Sequence, residues 1–303
     1  MPDPSSMTLA HDTQYGRPLL IEEWSNRYFI HPLSATVERM AINWGVSANT
    51  ISFLGVGCGW LAGLFYYYQD HRTYILSGFI FMCLWHVFDG ADGRIARATG
   101  TSSAFGRLLD GICDHLVFLA VYLAFIFFGL KNGASLWIFP LAILAGLSHG
   151  LQSVGYEERR QKYQRRLKGI KREQINNNNL LDIRGNSSWL VEKYDRCQRF
   201  VSGGESPLDR VIESYRSSSS PESETSAIGL VERTAKIVRA WALLNANNRT
   251  IMLAFIAILG RPELYFIYEI VILNIVFIGL IIYEKIAENR IATLEFCKIG
   301  MSA

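Results

Sequence analysis

"WHVFDGADGRIARATGTSSAFGRLLDGICDHLVFLAVYLAFIFF", residues 85–128, places four aspartates beside two long apolar runs. The aspartates are Asp89, Asp92, Asp110 and Asp114. An ionised carboxylate is costly in or near the hydrocarbon of a membrane, so even one such residue indicates a function. The stretch therefore predicts a polar functional site that is built on membrane-spanning helices.

The apolar residues outside this stretch are also gathered into blocks. They make up 50% of the 303 residues. A helical membrane span needs about 20 mostly apolar residues. Blocks that reach this length with their flanking turns lie at residues 50–68, 73–88, 115–130, 134–156, 250–260 and 263–283. We predict an all-α membrane protein with six transmembrane helices.

Charge placement predicts the orientation of these helices. The formal net charge of +3 is too small to indicate a nucleic-acid partner. The long loop that begins "EERRQKYQRRLKGIKRE", residues 157–173, carries the basic residues, whereas the other loops are short. By the positive-inside rule this loop is cytoplasmic. With six spans, both termini and the aspartates lie on the cytoplasmic side of a multi-pass membrane protein.

Changes in composition along the chain divide it into six segments. Aromatic and charged residues at helical spacing before the first span predict amphipathic helices at the membrane surface. Between the fourth and fifth spans, Ser206 followed by Pro207 predicts the start of a helix in a cytoplasmic insertion. The predicted segments are a disordered N-terminus (1–18), interfacial helices (19–45), spans one to four with the aspartates (46–156), a helical insertion (157–248), spans five and six (249–287) and a cytoplasmic tail (288–303).

The spacing of the aspartates predicts a metal site. Asp89 and Asp92 are three residues apart, and Asp110 and Asp114 are four apart, so each pair shares one face of a helix. Two facing helices would bring the four carboxylates into one small volume, where their charge requires cations. Ligands made only of oxygen favour hard divalent ions such as Mg²⁺ or Mn²⁺. Arg97, five residues after Asp92 on the same helix, would bind a phosphate. Paired metal ions beside such an arginine are typical of phosphoryl transfer.

Two alternatives to an enzyme remain at this point. The aspartates could form a structural metal site in a non-catalytic membrane protein, or the ion pathway of a cation-coupled transporter. Either alternative predicts that cations bind and that nucleotides do not. Gly93 and Gly106 favour the enzyme, because glycines beside the aspartates would let a ligand approach the backbone.

The order of these residues resembles a known signature. Asp89, Asp92-Gly93, Ala96-Arg97, Gly106, Asp110 and Asp114 follow one another at fixed spacing. This pattern resembles, position for position, that of the CDP-alcohol phosphotransferase family, also called CDP-alcohol phosphatidyltransferases. "GVSANTISFLG", residues 45–55, also resembles the sequence before the family's first span. The family more often has proline where Ala48 stands.

The resemblance implies roles for the aspartates. Asp89, Asp92 and Asp110 would ligate a pair of divalent ions, Mg²⁺ or Mn²⁺, that bridge the diphosphate of the donor. Asp114 would be the general base for the acceptor hydroxyl and would contribute to the second metal. An alcohol would attack the β-phosphate of a CDP-alcohol, giving a phosphodiester and CMP.

The resemblance also implies where the donor binds. Gly93, Ala96 and Gly106 would leave room for the cytidine nucleotide, and Arg97 would hold the nucleotide or its phosphates. Asn49, beside the substituted Ala48, would belong to the same donor site.

The acceptor and the donor alcohol are less defined. His149, Asn248 and Arg249 are polar residues inside or at the ends of spans, and we take them as candidates for acceptor binding. Transfer of phosphatidyl from CDP-diacylglycerol to a small alcohol, in phospholipid biosynthesis, is the favoured reaction. The alternative is a soluble CDP-alcohol of choline, ethanolamine, inositol or a sugar-like group with a lipid or sugar acceptor. The resemblance further implies a homodimer in the lipid bilayer.

Overall fold

The computed structural model describes residues 18–102, 104–170, 205–218 and 220–299. Within these residues the regular structure is helical and contains no β-strand. Two π-helical turns, Asn26–Ile30 and Tyr268–Ile272, lead directly into α-helices. The α-helices of this part of the chain are α1 (His31–Asn43), α2 (Ala48–Tyr67), α3 (Arg72–Ala98), α4 (Ala104–Lys131), α5 (Ile138–Lys168), α6 (Pro207–Ser217), α7 (Pro221–Arg233), α8 (Ala235–Trp241), α9 (Ala246–Leu259), α10 (Glu263–Ile267) and α11 (Leu273–Ile299).

Six helical segments of the described residues are long and apolar enough to cross a membrane. Their outward faces remain apolar: on α2, for example, Phe53, Trp60 and Leu64 are exposed, as side chains in contact with lipid would be. The prediction of an all-α, multi-pass membrane protein with six spans is confirmed. The segments are Ala48–Tyr67, Arg72–Ala98, Leu109–Lys131, Ile138–Lys168, Pro221–Leu259 and Glu263–Cys297.

Two helices extend further than their predicted spans. Helix α5 continues to Lys168, past residue 156, and α11 continues to Ile299, past residue 287. The added turns of α5 are rich in charged residues, and hydrogen bonds between their side chains stabilise the helix. Glu157, for example, accepts hydrogen bonds from Arg160 and Gln161, three and four positions later. The predicted insertion therefore begins as a continuation of the fourth span. Residues 1–17 and 171–204, which include most of the predicted disordered N-terminus and part of the insertion, lie outside the described residues.

The chain forms two compact units. The first, here called the aspartate unit, consists of Glu23–His149 and Ala246–Leu273. Its core is aromatic and aliphatic, with Tyr66, Phe125 and Phe266 among its fully buried side chains. The large apolar surface that these residues remove from water or lipid fixes how the helices of this unit pack.

A row of glycines brings three helices of the aspartate unit close together. Gly55, Gly59 and Gly63 recur every four residues and so lie on one face of α2. A Cβ atom at Gly59 would lie 2.4 Å from a methyl carbon of Val117 on α4, and one at Gly63 would lie 2.9 Å from the carbonyl oxygen of Ala120. Small residues at this spacing are typical of membrane helices whose backbones approach closely. The row holds α2 against α4, which carries two of the four aspartates.

The second unit, here called the charged unit, consists of the described residues within Met1–Glu22, Gly150–Asn245 and Asn274–Ala303. Helix α6 starts as predicted: Ser206 is the N-cap, Pro207 follows it, and Ser206 and Asp209 form a capping box. A buried apolar cluster that includes Leu208, Val211 and Tyr163 lies inside this unit. The described part of the predicted insertion is therefore a packed helical structure with its own core.

A buried ion-pair network stabilises the charged unit. The guanidinium of Arg166 donates to the Asp209 carboxylate at 2.7 Å, to the Glu288 carboxylate at 2.6 Å and to the Ser206 hydroxyl at 3.0 Å. Burial by itself raises the pKa of Asp209, but the positive charge of Arg166 outweighs it and lowers the pKa to about 2. Asp209 is therefore ionised at neutral pH and remains paired.

Candidate active site

Helices α2 and α3 meet at a hydrogen bond between Ser52 and Asp92. Asp92 lies near the end of α3 and is 7% exposed. The hydroxyl of Ser52, in the first turns of α2, donates to the Asp92 carboxylate. A hydrogen bond to a charged group is stronger than one between neutral groups. Ser52 therefore fixes the orientation of Asp92, a role that the sequence did not predict because serine is common in membrane helices.

The four aspartates of the motif interact with one another. The Asp114 carboxyl on α4 is close enough to Asp89, Asp92 and Asp110 for their charges to interact with it. It is also close enough to Asp89 to form a hydrogen bond. Asp92 in turn interacts with Asp110. The two helices α3 and α4 therefore bring the four side chains into one region.

The chemistry of this region suits a hard divalent cation. Carboxylate oxygens are the ligands that Mg²⁺ and Mn²⁺ prefer. In the described part of the chain the buried Oδ1 atom of Asp114 has no hydrogen-bond partner, and such an atom is expensive to bury unless something binds it. Among the described residues, however, no group of three or more His, Cys, Asp or Glu side chains is already arranged around a metal position.

The residues predicted to bind the donor lie at the ends of the same helices. Arg97 is exposed, and its Nη1 atom is 3.4 Å from where a Cβ of Gly93 would be, so the guanidinium lies over that glycine. Ala96 and Gly106 are half-buried. Asn49 is exposed in the first turn of α2. The residues of this set are at least partly exposed and so accessible to a ligand.

The candidates for acceptor binding are in different environments. Asn248 is half-buried near the start of α9, whereas Arg249 is fully buried. The guanidinium of Arg249 donates to Glu269, which is also fully buried and accepts a second hydrogen bond, at 2.7 Å, from the hydroxyl of Tyr265. The charge of Arg249 is therefore paired with Glu269, a residue of the same aspartate unit. Glu269 was not among the predicted residues, although a glutamate inside the sixth apolar block is the kind of signal that identifies such a site.

His149 lies beside this buried pair. Its Nδ1 atom is 3.7 Å from Oε1 of Glu269, and 3.4 Å from the hydroxyl of Tyr122. The imidazole packs edge-on against Phe118, with 4.3 Å between the ring centroids. Phe118 is one helical turn after Asp114. His149 thus belongs to a polar cluster in the interior of the aspartate unit.

Comparison with known proteins agrees with the sequence motif. The family described as CDP-alcohol phosphatidyltransferase matches residues 45–168. The match includes the four aspartates, Ser52 and His149, and it confirms the resemblance noted from the sequence. No curated protein and no solved structure matches the chain.

Proposed function

We propose that this protein, whose residues 45–168 match the model of the CDP-alcohol phosphatidyltransferase family, transfers a substituted phosphate from a CDP-alcohol to the hydroxyl of a second alcohol. CMP is the other product. Phosphotransfer from a CDP-alcohol is the activity of the family. The choice of donor, the metal and the roles of individual residues are our proposal for this chain.

The observation that carries the proposal is the convergence of Asp89, Asp92, Asp110 and Asp114 from two helices. Their mutual repulsion is unfavourable in the protein alone, and cations would relieve it. Phosphoryl transfer is catalysed almost entirely by positioning and by neutralising charge on the phosphates. The four carboxylates supply the ligands for that neutralisation.

Asp89, Asp92 and Asp110 would hold a pair of Mg²⁺ or Mn²⁺ ions. When bound, such ions neutralise the diphosphate of the donor and stabilise the charge on the leaving group. Ser52 would keep the Asp92 carboxylate turned toward this position through its hydrogen bond. Arg97, exposed at the end of α3, would bind the phosphates of the nucleotide.

Asp114 would act as the general base. Its Oδ1 atom has no hydrogen-bond partner among the residues that the structure describes, so it is available to accept the proton of the acceptor hydroxyl. As this proton moves to Asp114, the hydroxyl oxygen forms a bond to the β-phosphorus. The bond between that phosphorus and the bridging oxygen breaks, and CMP leaves with the electron pair. Asp114 then returns the proton to solvent.

The donor that we favour is CDP-diacylglycerol, which would place the enzyme in phospholipid biosynthesis. A membrane protein with its aspartates near the end of its second span and at the start of its third suits a donor whose acyl chains remain in the bilayer. The alternative donor is a soluble CDP-alcohol. We also propose that the active site and both termini face the cytoplasm, on the basis of the basic loop after the fourth span, and that the protein is a homodimer.

The test is release of CMP by the purified protein in detergent. CDP-diacylglycerol, CDP-choline, CDP-ethanolamine, CDP-glycerol and CDP-inositol would each be supplied with Mg²⁺ or Mn²⁺ and a panel of alcohols. We expect CMP from one donor only in the presence of metal, and none from the Asp110→Asn variant. The Asp114→Asn variant should bind CDP and fail to turn over.

A matched control comes from Asp70, a half-exposed aspartate outside the motif that pairs with Lys131 at 2.8 Å. Asp70→Asn removes the same charge and should leave CMP release at the wild-type rate. If wild-type protein binds divalent cations but neither binds CDP nor releases CMP, the protein is a transporter or a non-catalytic membrane protein instead.

A further inference from the structure

Helix α1 packs against the half of α3 that carries Asp89 and Asp92. The hydroxyl of Ser34, a fully buried residue, donates a hydrogen bond of 2.8 Å to the main-chain carbonyl of Val87. A Cβ at Gly90 would lie only 2.6 Å from the same hydroxyl oxygen. A methyl group at this position would force Ser34 to rotate away from Val87 or α1 to withdraw from α3, so the contact requires a glycine.

A second contact lies one helical turn further along both helices. The guanidinium of Arg94 donates to the Glu38 carboxylate, with 2.6 Å between Nε and Oε2, and both side chains are mostly buried. Ser34 and Glu38 are four residues apart on α1, and Gly90 and Arg94 are four residues apart on α3. The two contacts therefore fix the distance between the helices and also their register along the helix axes.

An apolar cluster joins α2 to the same contact. Ile51, which precedes Ser52 in α2, is one of its buried members. Ser52 donates the hydrogen bond to Asp92 that connects α2 to α3. Helices α1, α2 and α3 thus share one small core beside the aspartates. The buried residues of this core are Ala41 of α1, Ile51 of α2, and Ala91 and Ile95 of α3.

Helix α1 lies on the face of α3 opposite the aspartates. At 100° per residue, positions 87, 90, 91 and 94 fall within an arc of about 100°, whereas Asp92 and Asp89 lie about 140° and 200° from Val87. Asp89 and Asp92 therefore face away from α1, and both interact with aspartates of α4. A movement of α3 relative to α1 would change the distance between the carboxylates of α3 and those of α4.

We infer that Ser34, Glu38 and Gly90 are positioning residues for the metal ligands on α3, and this inference rests on the proposed function. Ligands in a metal site have to be held within about 0.5 Å of the productive geometry. Repulsion among the four carboxylates acts to separate α3 from α4. The fixed contact with α1 limits how α3 responds to it. Helix α1 precedes residues 45–168, so the segment that matches the family does not contain this support.

The test measures the affinity of the purified protein for Mn²⁺ in the presence of CDP, from the EPR signal of free Mn²⁺. This readout does not depend on turnover. Gly90→Ala and Gly90→Val should weaken the affinity increasingly, and we expect a loss of about tenfold or more for valine, as is typical when a residue that supports a metal ligand is changed. Gly57→Ala and Gly57→Val are the matched controls and should not alter the affinity, because a Cβ at Gly57 would meet no atom of the described residues within 4 Å.

A second substitution distinguishes positioning from a general loss of stability. Ser34→Ala removes the hydroxyl oxygen and leaves the Cβ of residue 34 at 3.4 Å from the new methyl group. Combined with Gly90→Ala, it should therefore recover most of the lost Mn²⁺ affinity. A purely structural role would lower the melting temperature and leave the affinity of the folded protein unchanged, so both quantities are measured on the same samples.

Glu38→Gln keeps the test decisive if the Gly90 variants do not fold. It removes the charge of Glu38 with little change in shape, which weakens the contact with Arg94, and it should reduce Mn²⁺ affinity about tenfold. Asp70→Asn is its control. This substitution also removes one carboxylate from an ion pair, that of Asp70 with Lys131, and should leave the affinity unchanged.

The outcomes distinguish this inference from the proposed function. If wild-type protein binds Mn²⁺ and releases CMP, and the folded Gly90→Val or Glu38→Gln variant binds Mn²⁺ equally well, the positioning role is wrong and the proposed function stands. Equal losses in the Gly57 and Gly90 variants would also overturn the inference. If wild-type protein neither binds Mn²⁺ nor releases CMP, the proposed function fails, and the positioning role fails with it.

Discussion

Replacement of Gly59 by alanine tests how closely α2 and α4 must approach. The new Cβ would lie 2.4 and 2.5 Å from the two methyl carbons of Val117, whereas carbon atoms normally pack at about 3.5–4.0 Å. Val117 is fully buried and β-branched, so it has little freedom to move aside. The helices must separate by about 1 Å or more, and overpacking of this kind typically costs about 1–3 kcal/mol.

Gly57→Ala on the same helix is a matched control, because a Cβ at Gly57 would have no atom of the described residues within 4 Å. Both substitutions remove a glycine from a helix interior, which by itself is worth roughly 1 kcal/mol in favour of alanine. That gain cancels in the comparison. The free energy of unfolding in detergent should therefore be lower for Gly59→Ala than for Gly57→Ala by about 1–3 kcal/mol, the overpacking cost.

The same substitution should also reduce CMP release, because Val117 is three residues after Asp114 and displacing one displaces the other. Adding Val117→Ala to Gly59→Ala removes the two closest methyl groups, so it should recover part of the lost activity. Equal unfolding free energies for the Gly57 and Gly59 variants would refute the reasoning, since the close approach would then carry no energetic constraint.

Three further variants test other contacts. Ser52→Ala should lower kcat/KM for CMP release about 10- to 100-fold, the value of a hydrogen bond to a charged group, while Ser52→Thr keeps the hydroxyl and should retain most activity. Arg249→Met should lower the unfolding free energy by about 3–5 kcal/mol because it leaves Glu269 buried without its counter-charge. Adding Glu269→Leu should restore much of this stability, whereas normal stability with lost activity would indicate a direct role in acceptor binding. The pKa of Asp209, about 2, is below its value in the unfolded chain. The ion pair with Arg166 therefore adds about 2 kcal/mol to the free energy of unfolding above pH ~4, and this stabilisation disappears as the pH falls toward 2. Asp209→Asn should remove this part of the pH dependence, and an unchanged profile in denaturation experiments between pH 2 and 5 would contradict the assignment.

The six spans and the aspartate motif could be predicted because their signals are local. Long apolar blocks define spans regardless of what they pack against, and the spacing of Asp89 and Asp92 places them on one helical face whatever the tertiary structure. The charged continuation of α5 to Lys168 was not predicted, since a loss of hydropathy ends a span but does not end a helix.

The partners of the site residues could not be predicted, because they are set by packing between distant parts of the chain. Ser52 contacts Asp92 across 40 residues, and nothing in the local sequence distinguishes it from other serines. Arg249 was expected at the mouth of a span on the basis of the polar residues before it. Its partner Glu269 lies in the next apolar block, and the pair is fully buried. Only the three-dimensional arrangement shows this pairing.

The π-helical turn at Tyr268–Ile272 constrains chain length as well as residue identity. In a regular α-helix each residue advances the side-chain direction by about 100°, and a π-helical turn accommodates one residue more than an α-helical turn. Deleting one residue after Glu269 would restore a regular helix and rotate this glutamate relative to everything beyond the turn. A homologue that differs here by a single insertion or deletion would therefore turn the side chains of the helix after this turn by about 100° relative to Glu269, even if every other residue were the same.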